Sequence, residues 1–179
     1  MSREGACRMW TTNRRHVMKQ KRLIGIAGAG LGLLGIAVAQ ASPFYVETVP
    51  MAMPAAQKAV VAALTSHHFK VVMKLDILHL IASKQKILHI PDFNKPGFTD
   101  VRALVFCNPF LFSGLLNHSW KTASACPLDV TLYSKAAKTT VVFAKRSVYT
   151  RGTASRAVGR KIDRMVIGGL KAIPGSHSG

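Results

Sequence analysis

The chain has 179 residues, 49% of them hydrophobic, and a formal net charge of +18. That length holds one domain with a proper core, and that hydrophobic share excludes a disordered polymer. The charge is not confined to the leader: from Ser42 onward 18 Lys and Arg stand against 6 Asp and Glu, leaving +12, so the surface should seek anionic partners or suit acidic surroundings.

Residues 1–41 carry the features of an N-terminal export signal. Lys19, Lys21 and Arg22 precede an uncharged apolar run from Leu23 to Ala39, and Ala39-Gln40-Ala41 supplies small residues for cleavage before Ser42. Upstream, Asn13-Arg14-Arg15-His16-Val17-Met18-Lys19 matches the twin-arginine export pattern. An ordinary secretory signal beginning at Met18 fits the same residues, and an uncleaved membrane anchor over residues 23–39 stays open beside them. The run is shorter than the roughly 20 apolar residues usual for a spanning helix, and glycines loosen it. Gly30-Leu31-Gly32-Leu33-Leu34-Gly35 spells GxGxxG, but no strand precedes it, so it does not read as a dinucleotide site. Either export route places the remainder, residues 42–179, in the periplasm or outside the cell.

The body begins with a short strand between Pro43 and Pro50, carried by Phe44, Tyr45, Val46 and Val49. Pro54 opens a helix over Ala55–Ser66, with Val60, Val61, Ala63 and Leu64 toward a core. Phe69 to Leu75 alternates, which predicts a half-buried strand with Phe69, Val71, Met73 and Leu75 inward. Asp76 is placed to cap a short helix, Ile77–Lys84, and Gln85 to Thr99 reads as a long surface loop. Val101 to Phe106 is a strand rich in β-branched and aliphatic residues. Asn108 and Pro109 then start a helix at once, since Asn accepts backbone N–H bonds and Pro needs no donor at the first helical position. Phe110, Leu111, Leu115 and Leu116 supply that helix's apolar face until Asn117-His118-Ser119 breaks it. A strand around Val130–Tyr133, a turn at Ser134–Lys138 and a strand at Thr139–Tyr149 form a hairpin. The last element is an amphipathic helix, Ser155–Ile173. Its core residues are Val158, Ile162, Met165, Val166 and Ile173, and Arg156, Arg160 and Arg164 form a basic ridge on another face. The order predicts a single compact α+β domain, with helices packed on one mixed β-sheet.

Leu64 through Leu75, Val105-Phe106-Cys107-Asn108-Pro109, and the Cys126 region followed by Val130-Thr131-Leu132-Tyr133 resemble the bacterial and archaeal "domain of unknown function 302" family. The likeness covers most of Phe44 to Ala144, and the Cys-Asn-Pro segment is its most specific part. It implies a compact α+β domain that associates as a homodimer and has no established enzymatic activity. The chain departs from the pattern at His68, where the family usually has glycine, and at Pro127-Leu128-Asp129, which makes the connection after Cys126 irregular.

Cys107 and Cys126 are the only cysteines after the leader, in a compartment that permits disulfides. They read either as a disulfide or ligand pair or as two small buried apolar residues. Cys107 and Asn108 also stand at a helix start, where free N–H groups favour a thiolate or a bound anion. The histidines His67, His68, His79, His89, His118 and His177 lack HExxH, CxxC or CxxCH spacing. A metal or haem site would therefore need the fold to bring Cys107 or His118 beside them. Glu47, Asp76, Asp92, Asp100, Asp129 and Asp163 are scattered, Ser113-Gly114 lacks the GxSxG elbow, and no catalytic machinery is evident. Asp76 and His79 read as a cap and its neighbour. The ridge of Arg156, Arg160 and Arg164, extended by Lys161 and Lys171, reads first as a solvated face that can also attract an anionic membrane surface or an acidic protein. Nucleic acid suits the charge but not the compartment. The function expected is that of a cell-envelope binding or accessory domain without cofactor. The alternative is a periplasmic redox, metal or cofactor-binding protein built on Cys107, Cys126 and nearby histidines.

Overall fold

A computed structural model describes residues 42–179, so the export signal and the anchoring segment lie outside the described residues. The elements in order are β1 (Phe44–Val49), α1 (Met53–Ser66), β2 (Lys70–Asp76), α2 (Ile77–Ala82), α3 (Gln85–Leu88), β3 (Asp100–Cys107) and α4 (Pro109–His118). A 3-10 stretch (Trp120–Ala125) leads to β4 (Leu128–Lys135), β5 (Lys138–Ala144), α5 (Arg146–Tyr149), α6 (Arg156–Lys171) and β6 (His177–Ser178). Among the described residues, no helix is long and apolar enough to cross a membrane.

The sheet has six strands in the order β2-β3-β4-β5-β1-β6, and every pairing is antiparallel. The expected mixed sheet is thus corrected. The opening strand–helix–strand unit would normally make a parallel pair, and β1 and β2 do run in the same direction. Three later strands come between them, and each of those reverses direction relative to its neighbour.

Alternation along the central strands decides which face is core. Leu104 and Phe106 of β3, Leu128, Val130 and Leu132 of β4, and Val141 and Phe143 of β5 are fully buried on one face. Met53, Ala56, Val60 and Leu64 of α1, Leu111 and Leu115 of α4, and Ile162, Val166 and Leu170 of α6 complete the same core. Each fully buried Leu, Val or Phe contributes about 1.5–3 kcal/mol. Helix α6 lies close to its neighbours because two of its three glycines stand at the contacts. A Cβ at Gly159 would collide with Thr150 Oγ1, and one at Gly169 would come within 3.0 Å of the Ala63 carbonyl of α1. On the opposite face of the sheet, Val101, Ala103, Thr131 and Tyr133 meet Ile77, Leu78 and Ile81 of α2 across an apolar hollow of about 450 Å³.

Several local expectations are corrected. β2 sits at the sheet edge and its register shifts between Val71 and Met73. A bulge of this kind turns the following side chains over, so Met73 is exposed and Val71 and Leu75 only half-buried, while Phe69 is buried against Phe106. In α4 only Leu111 and Leu115 are buried; Phe110 is 84% exposed and Leu116 also faces water. Half of the 85–99 loop is ordered by local bonds: α3 makes one turn, and Asn94 closes the segment to Phe98 by accepting its N–H and donating to its carbonyl. The strand expected to reach Tyr149 ends at Ala144, because α5 begins at Arg146. In α6, Val158 and Met165 are half-buried, and the buried stripe includes Gly159, Asp163 and Leu170 as well. The Asp76 cap is present, its side chain accepting the His79 N–H at 2.9 Å.

Candidate functional site

Chemistry concentrates at two places: where β3, α4 and β4 meet, and along the outer face of α6. At the first, β3 ends at Cys107 and Asn108 turns the chain into α4. The Asn108 side-chain Oδ1 accepts the N–H groups of Phe110 and Leu111, and its Nδ2 donates to the His68 carbonyl at 2.9 Å. Asn108 therefore serves as a buried joint between two chain segments. Two of the amides an anion would use at this helix start are taken by its own side chain. His68 adopts φ +63°, a left-handed conformation that glycine accepts most readily. His68, Asn108, Pro109, Phe110, Lys161 and Met165 border an open hollow of about 420 Å³.

The fold brings Cys107 and Cys126 together. Both are free thiols, Cys107 half-buried and Cys126 buried, with their sulfurs 3.5 Å apart. The Cys126 thiol is pushed up to about 12, first by burial, then by its hydrogen bond to Cys107 and the negative charge Cys107 can carry. The Arg146 guanidinium and a backbone bond at Asn108 pull in the other direction.

Arg146 is the residue that sequence reasoning missed. It is 5% exposed, donates to Asp129 at 2.7 Å and to the Ala144 carbonyl at 3.1 Å, and stacks its guanidinium near Phe143 and Tyr149. Its Nε has no partner among the described residues. Beneath it, the buried Asp163 of α6 accepts the backbone N–H groups of Arg146 and Ser147 at 2.6 and 3.1 Å, capping α5 from another helix. Two of the scattered carboxylates are held by arginines: Asp129 pairs with Arg146 and Asp100 with Arg102. The signal available in sequence was an arginine directly after an apolar strand, which alone does not distinguish a buried cation from an exposed one.

Glu47 is the other buried carboxylate, 1% exposed, bonded by the hydroxyls of Tyr45 and Ser178. Burial alone would raise its pKa. The bonds from Tyr45, Ser176 and Ser178, with Lys171 nearby, outweigh that and hold it below the ordinary value. Tyr45 is pushed up to about 12 by burial and by its bond to Glu47. This cluster ties the C-terminal β6 to β1.

The histidines do not converge on the thiols. The His67 ring bonds within α1 and lies against Gly168 and Gly169, and His118 Nδ1 is 2.6 Å from the Gly114 carbonyl. Among the described residues, no three His, Cys, Asp or Glu side chains are grouped to hold a metal ion.

On the outer face of α6, Arg156, Arg160, Lys161 and Arg164 are all exposed. Arg151, Arg156 and Arg160 border a hollow of about 440 Å³ beside α5. On the other flank, Lys161 shares its hollow with Phe110 of α4. The cationic row is thereby continuous with an exposed aromatic ring. With Arg102 and Arg146 in ion pairs, 16 of the 18 Lys and Arg in residues 42–179 make none among the described residues.

Comparison with known proteins places this arrangement. Residues 45–167 match the family model described as "Domain of unknown function DUF302". The chain belongs to this family. A solved member, an uncharacterised conserved DUF302 protein from Bacillus stearothermophilus, has 18% sequence identity and a TM-score of 0.65, covering 74% of this chain and 99% of its own. At that identity the likeness shows the shared fold, a single α+β domain with an antiparallel sheet. No curated protein matches the chain. DUF302 membership spans β1 through most of α6, so it includes the thiol pair, Arg146 and the arginine row alike.

Proposed function

We propose that this DUF302 domain is exported and serves as a non-catalytic accessory domain of the cell envelope, docked on an anionic membrane surface through the outer face of α6. The observation that carries the reading is the exposed row of Arg151, Arg156, Arg160, Lys161 and Arg164, on a domain where four of the six carboxylates are buried or paired with arginine. Glu47 and Asp163 are buried, and Asp100 and Asp129 are paired. At about 1 kcal/mol per cation near an anionic leaflet, five such residues give about 5 kcal/mol, a dissociation constant on the order of 0.2 mM. That suits reversible association. Phe110, 84% exposed beside Lys161, favours a lipid interface over an acidic protein, since an apolar ring beside a basic helical face can bury itself at the headgroup boundary. The leader's basic start and apolar run support delivery to that surface.

Co-sedimentation with vesicles tests the reading. Binding to phosphatidylcholine vesicles containing phosphatidylglycerol, absent with phosphatidylcholine alone and weakened by salt, is expected. Equal binding to both compositions, or to neither, overturns it, and retention on an acidic protein without vesicle binding assigns the face to that partner class instead.

A further inference from the structure

We propose that Cys107 and Cys126 form a dithiol that exchanges with disulfides, with Cys107 as the attacking thiol and Cys126 as the resolving one. The roles follow from position. Cys107 is half-buried at the open end of β3, whereas Cys126 is buried behind it with the sulfurs 3.5 Å apart. Only Cys107 is reachable by a disulfide from outside, and only Cys126 is close enough to displace what becomes attached there.

The exchange balances without a cofactor. The Cys107 thiolate attacks one sulfur of an incoming disulfide, a Cys107–sulfur bond forms, the incoming sulfur–sulfur bond breaks, and the first partner sulfur leaves as a thiolate that takes up a proton. The Cys126 thiolate then attacks the Cys107 sulfur, forming the internal disulfide and releasing the second partner sulfur as a thiol. The protein's two thiols are oxidised and the partner disulfide is reduced to two thiols.

The surroundings favour that order. In the resting dithiol, Cys126 is held protonated by burial and by Cys107, both through their hydrogen bond and through charge. Once Cys107 is tied up in a mixed disulfide it carries no charge, and those two influences vanish. The pull of Arg146 on Cys126 remains. Arg146 is buried, has an Nε without a partner among the described residues, and supplies a fixed positive charge for a Cys126 thiolate. Burial, the larger influence, stays, so formation of the mixed disulfide eases the resolving step in part.

The test uses the full chain with Cys7→Ser, so that only this pair reacts, and oxidised glutathione as the probe. Adducts are followed by intact mass and located by peptide mapping, with circular dichroism confirming that each variant is folded. In Cys126→Ser a glutathione adduct on Cys107 accumulates at least tenfold faster than an adduct on Cys126 does in Cys107→Ser. With both thiols present the adduct is transient and the internal disulfide is the product. Comparable adduct rates in the two single variants, a persistent adduct with both thiols present, or thiols inert to glutathione in the folded protein each overturn the proposal.

Discussion

Replacing Asp163 by alanine removes the carboxylate that holds α5 onto α6. Two backbone donors, Arg146 N at 2.6 Å and Ser147 N at 3.1 Å, lose their acceptor. Asp163 is 7% exposed and packed beneath α5, so water cannot readily take its place. Hydrogen bonds to a charged group are worth about 1.5–3 kcal/mol each. Losing both costs roughly 3–6 kcal/mol, with about 4 as the central value. Asp163→Asn keeps one acceptor oxygen and turns an amide donor toward the other N–H, so it should lose about 2 kcal/mol. Urea unfolding followed by circular dichroism reads the difference: at about 2 kcal/mol per molar for the slope, the alanine variant's midpoint falls by roughly 2 M. The exposed Lys58 of α1 serves as control, and Lys58→Ala should stay within about 0.5 kcal/mol of the parent. A loss below about 1 kcal/mol in Asp163→Ala, with an unchanged slope, would refute the idea that this carboxylate anchors the C-terminal third of the fold.

His68→Gly relieves the left-handed backbone at φ +63°, and should raise stability by about 0.5 kcal/mol, the strain removed less the extra freedom of the unfolded chain; a loss above 1 kcal/mol in thermal unfolding would show that the His68 ring contributes more than its backbone costs. Oxidation of Cys107 with Cys126 closes a loop of about 20 residues and should add about 3 kcal/mol, measured as a urea-midpoint difference between oxidised and reduced protein that vanishes in Cys107→Ser. Glu47, whose folded pKa is depressed, contributes stability that is present above its unfolded value of 4.5 and lost as pH falls through the folded value. Tyr45, raised from 10.0 to about 12, contributes stability present below pH 10 and lost as pH rises through 12. Unfolding across both ranges should therefore flatten at the acid end in Glu47→Gln and lose the Tyr45 share of its alkaline fall in Tyr45→Phe, and unaltered profiles would contradict the assignments.

The elements with strong local signals were legible in the sequence. Asn108-Pro109 dictates a helix start through capping chemistry alone, and α4 begins there; the alternating Val130, Leu132, Val141 and Phe143 fix which face of the hairpin is core. What the sequence concealed was non-local. The bulge at Val71 and Met73 depends on pairing with β3, and no periodicity in β2 announces it. The antiparallel order depends on where β1 comes to lie, beside β5 rather than β2. At the candidate sites, the arginine ridge was readable because helical spacing sets its face. The 3.5 Å approach of Cys107 to Cys126 and the Asp129–Arg146–Asp163 arrangement were not, since each joins residues from different elements.

Charge reversal on the α6 face tests the docking claim most directly. Arg160 and Arg164 are exposed and make no ion pair among the described residues, so Arg160→Glu with Arg164→Glu should leave folding intact. Two cations removed and two anions added cost about 4 kcal/mol of attraction to an anionic leaflet. Sedimentation with phosphatidylglycerol-containing vesicles should fall by a factor of at least 100 in apparent affinity, whereas affinity equal to that of the parent chain would contradict the account.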